Sequence, residues 1–175
     1  MRALLTLIEE LGAWLRLRGL EAAFGRADGL RARQRRSGLM FREAGDAEPE
    51  RGVQILHAED DQLVAAMVGE ILRSQGWGVT TLDDGLSALR EIEGATHYDL
   101  ILVDKQLPGV DGLELVRRAR ELPHRQQVPV VMLSAEDSGR EARSAGASAF
   151  LRKPEDVHAL VETVARLLGR KPKQG

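Results

Sequence analysis

Asp99-Leu100-Ile101-Leu102-Val103-Asp104-Lys105-Gln106-Leu107-Pro108-Gly109-Val110-Asp111-Gly112 is the stretch on which the fold turns. Leu100 to Val103 is wholly apolar, as a parallel strand covered on both faces should be. The run stops at a carboxylate, Asp104. Pro108 and Gly109 then break regular structure before a helical pattern resumes over Leu113 to Glu121.

The same alternation extends in both directions. Strand-like runs lie at Val53 to Ala58, Val79 to Leu82, Val128 to Leu133 and Ala149 to Leu151. Between and after them, amphipathic stretches run over Leu63 to Ser74, Gly85 to Ile92, Arg140 to Ala145 and Val157 to Leu168. The last carries a stripe of Val157, Leu160, Val161, Val164, Leu167 and Leu168 at helical spacing. Five strands alternating with five helices argue for βαβ units and one parallel sheet between two helix layers, an α/β fold. In an open sheet of this kind ligands bind at the carboxyl ends of the strands, so function is sought just after each apolar run.

The chain has 175 residues, 43% of them hydrophobic, with no cysteine. That length fits one domain plus an appendage. Lacking cysteine, it excludes disulfide scaffolds, thiolate metal sites and cysteine nucleophiles. No apolar run approaches the ~18 residues of a membrane span, and Glu9 and Glu10 interrupt the first apolar stretch, so a cytoplasmic protein is expected. The net charge of −2 conceals a strong asymmetry. Residues 16–42 hold eight arginines against Glu21 and Asp28, a local +6, whereas Glu43, Asp46, Glu48 and Glu50 form an acidic stretch. These shifts divide the chain into an Arg-rich helical extension with an acidic linker over 1–50, a main domain over 51–170 and a tail over 171–175. Within the extension, Leu4, Leu7, Ile8, Leu11, Trp14 and Leu15 predict one amphipathic helix. A second, weakened by Gly25 and Gly29, is predicted over residues 20–36.

Read in order, the strand ends carry Glu59 and Asp60, Asp104, Ser134, and Lys153. Three carboxylates gathered without a thiol or clustered histidines make a hard-oxygen site suited to Mg²⁺. An aspartate can also attack phosphorus to form an aspartyl phosphate. Lys153 would neutralise the phosphoryl oxygens and Ser134 would donate a hydrogen bond to one of them. Glu59 and Asp60 could equally open the helix at Leu63 as an N-cap and first-turn acids. The four histidines share no ligand spacing; His57 is expected to be a partly buried strand residue. All four lie beyond residue 50, which excludes a histidine phosphotransfer helix in the extension. Neither a P-loop nor a G-x-G-x-x-G turn occurs, and Gln106 stands where a dehalogenase-type phosphatase needs its second aspartate.

Four ordered blocks carry a resemblance: Ile55-Leu56-His57-Ala58-Glu59-Asp60-Asp61, the stretch from Asp99 to Gly112, Val130-Val131-Met132-Leu133-Ser134-Ala135, and Gly146-Ala147-Ser148-Ala149-Phe150-Leu151-Arg152-Lys153-Pro154. Together they resemble the receiver domain of two-component response regulators. The resemblance implies a flavodoxin-like strand order of 2-1-3-4-5. It further implies that Asp104 accepts a phosphoryl group from a histidine kinase or histidine phosphotransfer protein. Glu59, Asp60, Asp104 and the backbone carbonyl of Gln106 would hold Mg²⁺, with Ser134 and Lys153 on the phosphoryl oxygens. Ser134 and Phe150 would form the switch, moving together to alter the surface around the fourth helix, fifth strand and fifth helix.

Two departures qualify the resemblance. Ser134 and Lys153 are 19 positions apart, a few short of the receiver pattern, and the loss falls in the loop and helix before Gly146. Glu136, Asp137 and Gly139 predict a mobile loop there. After Leu168 only the tail follows, so signalling is expected through protein contact without a standard output domain. A dimer mate, the receiver itself or another protein would cover the Trp14 stripe, and no nucleic-acid partner is expected for the arginines around Arg31 to Arg36. Self-directed phosphoryl acceptance and loss are expected, not turnover catalysis. The competing readings are a phosphorylation-independent interaction module and a DNA-binding regulator acting through the arginine segment.

Overall fold

Apolar runs of four or five residues, each followed by an amphipathic stretch, bury themselves most completely as a sheet with helices on both faces. The computed structural model describes residues 52–172 and shows that arrangement. In chain order the elements are β1 (Gln54–Ala58), α1 (Gln62–Ser74), β2 (Gly78–Leu82), α2 (Gly85–Glu93), β3 (Leu100–Asp104), α3 (Gly112–Glu121), β4 (Val130–Ser134), α4 (Gly139–Ala145), β5 (Ala149–Arg152) and α5 (Leu160–Leu167). All strand pairs are parallel and the order is β2-β1-β3-β4-β5, as the resemblance implies. Every residue of β3 and β4 is buried, whereas β2, at the sheet edge, has none fully buried. The helical extension over 1–50, with its two predicted helices and acidic linker, lies outside the described residues, as do Arg51 and residues 173–175.

Side-chain alternation divides the core into two layers. On one face Ile55, Leu100, Leu102, Val131 and Leu133 pack with α1 and α5; on the other Leu56, Ala58, Ile101, Val103 and Met132 pack with α2, α3 and α4. The expected final helix begins differently. Val157–Ala159 is a 3₁₀ turn in which Ala159 N–H donates to the Asp156 carbonyl and Leu160 N–H to that of Val157, and the α-helix starts only at Leu160. The tighter turn leaves Val157, Leu160, Val161 and Val164 all buried, so the apolar stripe survives the change of winding.

Two readings of β1 are corrected. The N-cap of α1 is Asp61, whose carboxylate accepts from Leu63 N–H at 2.9 Å and Val64 N–H at 3.1 Å. Glu59 and Asp60 therefore do not cap the helix. His57 is fully buried, at 1% exposure, because β1 is an interior strand and His57 is flanked in register by Thr81 on one side and Leu102 on the other.

Candidate metal and phosphoryl-acceptor site

Parallel register brings the strand ends to one rim. Ala58 lies beside Val103, Asp104 beside Leu133, and Ser134 beside Arg152. The chain just beyond each end is then fastened: Glu59 N–H donates to the Leu82 carbonyl at 2.9 Å, and Lys153 N–H to the Ser134 carbonyl at 2.8 Å. The loop after β3 is held by Gly112, whose N–H donates to the Lys105 carbonyl at 2.8 Å. A Cβ at Gly112 would stand 2.1 Å from the Asp104 carbonyl oxygen, so only glycine fits beneath the loop.

These constraints bring Glu59, Asp60, Asp104 and Lys153 together. Carboxylate oxygens of the three acids lie within 4.8 Å of one another. Glu59 is 2% exposed and Asp104 8%, while Asp60 is open to solvent. Lys153 Nζ donates to Glu59 Oε2 at 2.6 Å and sits 3.5 Å from Asp104 Oδ1. The bond between Lys153 and Pro154 is cis. Asp104 Oδ1 also accepts from Lys105 N–H at 2.8 Å. Burial pushes the Glu59 carboxyl up to about 7; Lys153 pulls it down, and the charge of Asp104 adds to the rise. Asp104 is likewise raised by burial, with Lys153 and the Lys105 N–H opposing. One ammonium thus faces three crowded acids, two of them desolvated. Hard oxygens with surplus negative charge are the donor set that a divalent cation such as Mg²⁺ fits.

Ser134 is buried at the end of β4, and its Oγ accepts from Glu136 N–H at 3.2 Å. Phe150 is half-buried in the middle of β5, beside Met132, and its ring lines the space next to Gly139. Gln106 is exposed two residues beyond Asp104, and its side-chain amide donates to Glu136 Oε1 at 2.7 Å. The loop after β4, expected to be mobile, is instead tied across the rim. Lys105 Nζ donates to Glu136 Oε2 at 3.0 Å, Ser138 Oγ at 2.8 Å and Glu141 Oε2 at 3.1 Å. Lys105 carries no signal in the sequence, because its partners lie more than 30 positions away and no local spacing announces them.

A family model for the response regulator receiver domain matches residues 55–165. The chain is 36% identical over 119 residues to the transcriptional regulatory protein CseB of Streptomyces coelicolor, covering 66% of this chain and 49% of that protein. It is 33% identical over 132 residues to a gliding motility regulatory protein of Myxococcus xanthus, covering 73% of this chain and 17% of that one. Among solved structures, the receiver domain of sensor histidine kinase PA1611 of Pseudomonas aeruginosa aligns with a TM-score of 0.61 at 32% identity. The alignment covers 68% of this chain and 99% of that structure, which has a magnesium ion coordinated in its active-site cleft. The chain belongs to the response regulator receiver domain family. It spans about half or less of the length of these curated relatives.

Proposed function

We propose that the chain is a phosphorylatable receiver of a two-component pathway, in which Asp104 accepts a phosphoryl group from the phosphohistidine of a histidine kinase or phosphotransfer protein. The observation that carries this reading is Lys153 Nζ set between Glu59 and Asp104 on the rim of the sheet. An Asp104 oxygen would attack phosphorus as the bond to the histidine nitrogen breaks. Lys153 would follow the negative charge that develops on the phosphoryl oxygens, and the Ser134 hydroxyl would donate to one of them. Glu59, Asp60, Asp104 and the Gln106 carbonyl would hold Mg²⁺, which when bound supplies further neutralisation of those oxygens. The magnesium in the related Pseudomonas receiver supports the assignment.

The chemistry is self-directed, ending in hydrolysis of the chain's own aspartyl phosphate, so the protein is a signalling module and not a turnover enzyme. Phosphoryl transfer from a histidine kinase would take place in the cytoplasm; among the described residues no helix is long and apolar enough to cross a membrane. Output passes by protein contact, to a second copy or to another protein. The test is ¹⁹F NMR of the full chain with Mg²⁺ and beryllofluoride. The expected result is a bound-fluoride signal in the wild type that Asp104→Asn abolishes. A signal unchanged by Asp104→Asn would overturn the assignment, and equal partner binding by both proteins would favour a phosphorylation-independent module.

A further inference from the structure

Lys105 lies beside the acceptor but serves another element. Its ammonium is shared among Glu136, Ser138 and Glu141, which belong to the loop after β4 and to α4. Its own side chain is 20% exposed, while Glu136 and Glu141 reach it from the solvent side at 52% and 62%. Glu136 is the centre of this arrangement, with three separate anchors. Its Oε2 accepts from Lys105, its Oε1 from Gln106, and its N–H donates to Ser134 Oγ. Glu141 meets the same ammonium from the first turn of α4. Without Lys105, the Glu136 and Glu141 carboxylates that it now neutralises would repel each other across the start of α4.

We propose that Lys105 is an intramolecular latch that holds the β4–α4 loop and α4 to the acceptor loop, and that phosphorylation of Asp104 opens it through Ser134. The coupling rests on the phosphoryl-acceptor reading above. The hydroxyl that would turn toward a phosphoryl oxygen is the one that anchors the Glu136 backbone. Drawing Ser134 toward Asp104 takes away that anchor and pulls Glu136 out of register with Lys105 and Gln106. The ion pairs then exchange for water at little cost, because Glu136 and Glu141 are more than half exposed. The latch replaces the mobility expected of this shortened segment with two discrete arrangements, and a small movement at Ser134 selects between them.

The experiment is hydrogen exchange of the full chain, read over residues 135–145, for wild type, Lys105→Met, the pair Glu136→Gln with Glu141→Gln, and Lys105→Arg. Without ligand, Lys105→Met and the double variant should each exchange roughly tenfold faster than wild type there, corresponding to loss of about 1.4 kcal/mol of local protection. Lys105→Arg should retain most of the protection. Exchange in β1 and β3 should not change, which separates release of the latch from unfolding. Wild-type exchange at 135–145 equal to that of both variants would overturn the latch. With Mg²⁺ and beryllofluoride, wild type should rise to the level of Lys105→Met while that variant gains nothing further. If fluoride binds at Asp104 and wild-type protection is unmoved, the coupling is wrong. If no fluoride binds, the acceptor assignment fails, and the latch stands or falls on the ligand-free comparison alone.

Discussion

At the scale of single residues, His57 on β1 and Glu59, the residue just past its end, are both buried and respond to acid in opposite ways. Burial lowers the His57 imidazole to about 3, with Lys153 and Arg73 adding to the effect, and its Nδ1 has no hydrogen-bond partner among the described residues. The unfolded chain protonates this histidine below about 6.5 while the folded chain does not, so its contribution to stability falls as pH drops from about 6.5 toward 3. Glu59, raised to about 7, behaves in the reverse sense. Between about 7 and 4.5 the folded chain holds a proton that the unfolded chain has lost, so stability gains as pH falls through that window. From pH 7 to pH 5 each effect is worth about 2 kcal/mol, and the two oppose each other. Replacing His57 by Leu removes an unsatisfied polar atom and leaves Glu59 unopposed. The expected outcome of urea unfolding is that the His57→Leu protein gains about 2 kcal/mol of stability over the wild type as pH falls from 7 to 5. Parallel curves for the two proteins would show that the imidazole does not titrate on unfolding.

At the scale of elements, the C-terminal end of α2 is held by a side chain from far along the chain. α2 ends at Glu93, and the carbonyls of Glu91, Ile92, Gly94 and Thr96 all accept from one guanidinium, that of Arg125. Arg125 is 2% exposed and lies 5.5 Å from the Tyr98 ring centroid. It satisfies carbonyls that a helix C-terminus leaves open, and its fixed fork reaches several at once. Arg125→Met should cost about 3 kcal/mol in chemical unfolding, because the carbonyls stay buried without a donor. Arg125→Lys should recover only a fraction, since an ammonium lacks the fork; full recovery would mean that charge alone matters. Nothing in the text around Arg125 signals this role, for it is one arginine in a loop next to His124 and Gln126. The elements themselves were legible because Leu100 to Val103 and Val130 to Leu133 are buried on both faces and therefore wholly apolar. The acidic rim was legible because Glu59, Asp60 and Asp104 each end such a run, and parallel register collects strand ends. What escaped were pairings between separate loops, those of Lys105 and Arg125, and the 3₁₀ start of the last helix, where a tighter turn keeps the same stripe buried.

At the scale of the whole molecule, the rim is the place where folding and ligand binding oppose each other. The strands that build the core also force Glu59, Asp60 and Asp104 within 4.8 Å, with Lys153 offsetting part of the repulsion. A cation that takes up the surplus charge binds the folded chain and not the unfolded one, so it must stabilise the entire domain. At ten times its dissociation constant, Mg²⁺ should add about 1.4 kcal/mol, which for a domain of this size is a rise in Tm of about 5 °C. Asp60 is exposed and caps nothing, so Asp60→Asn should fold normally and lose most of the rise. The dependence on pH follows from Glu59. At pH 6 the folded protein holds a proton on this carboxyl that the metal must displace, whereas at pH 8 the carboxylate is already free. The Mg²⁺-induced rise should therefore be larger at pH 8 than at pH 6, and replacing Glu59 by Gln should remove the difference along with much of the binding. Calorimetric melts of the four combinations of pH and Mg²⁺ decide the matter. A rise equal at both pH values, or one that survives in Asp60→Asn, would place the cation somewhere other than this rim.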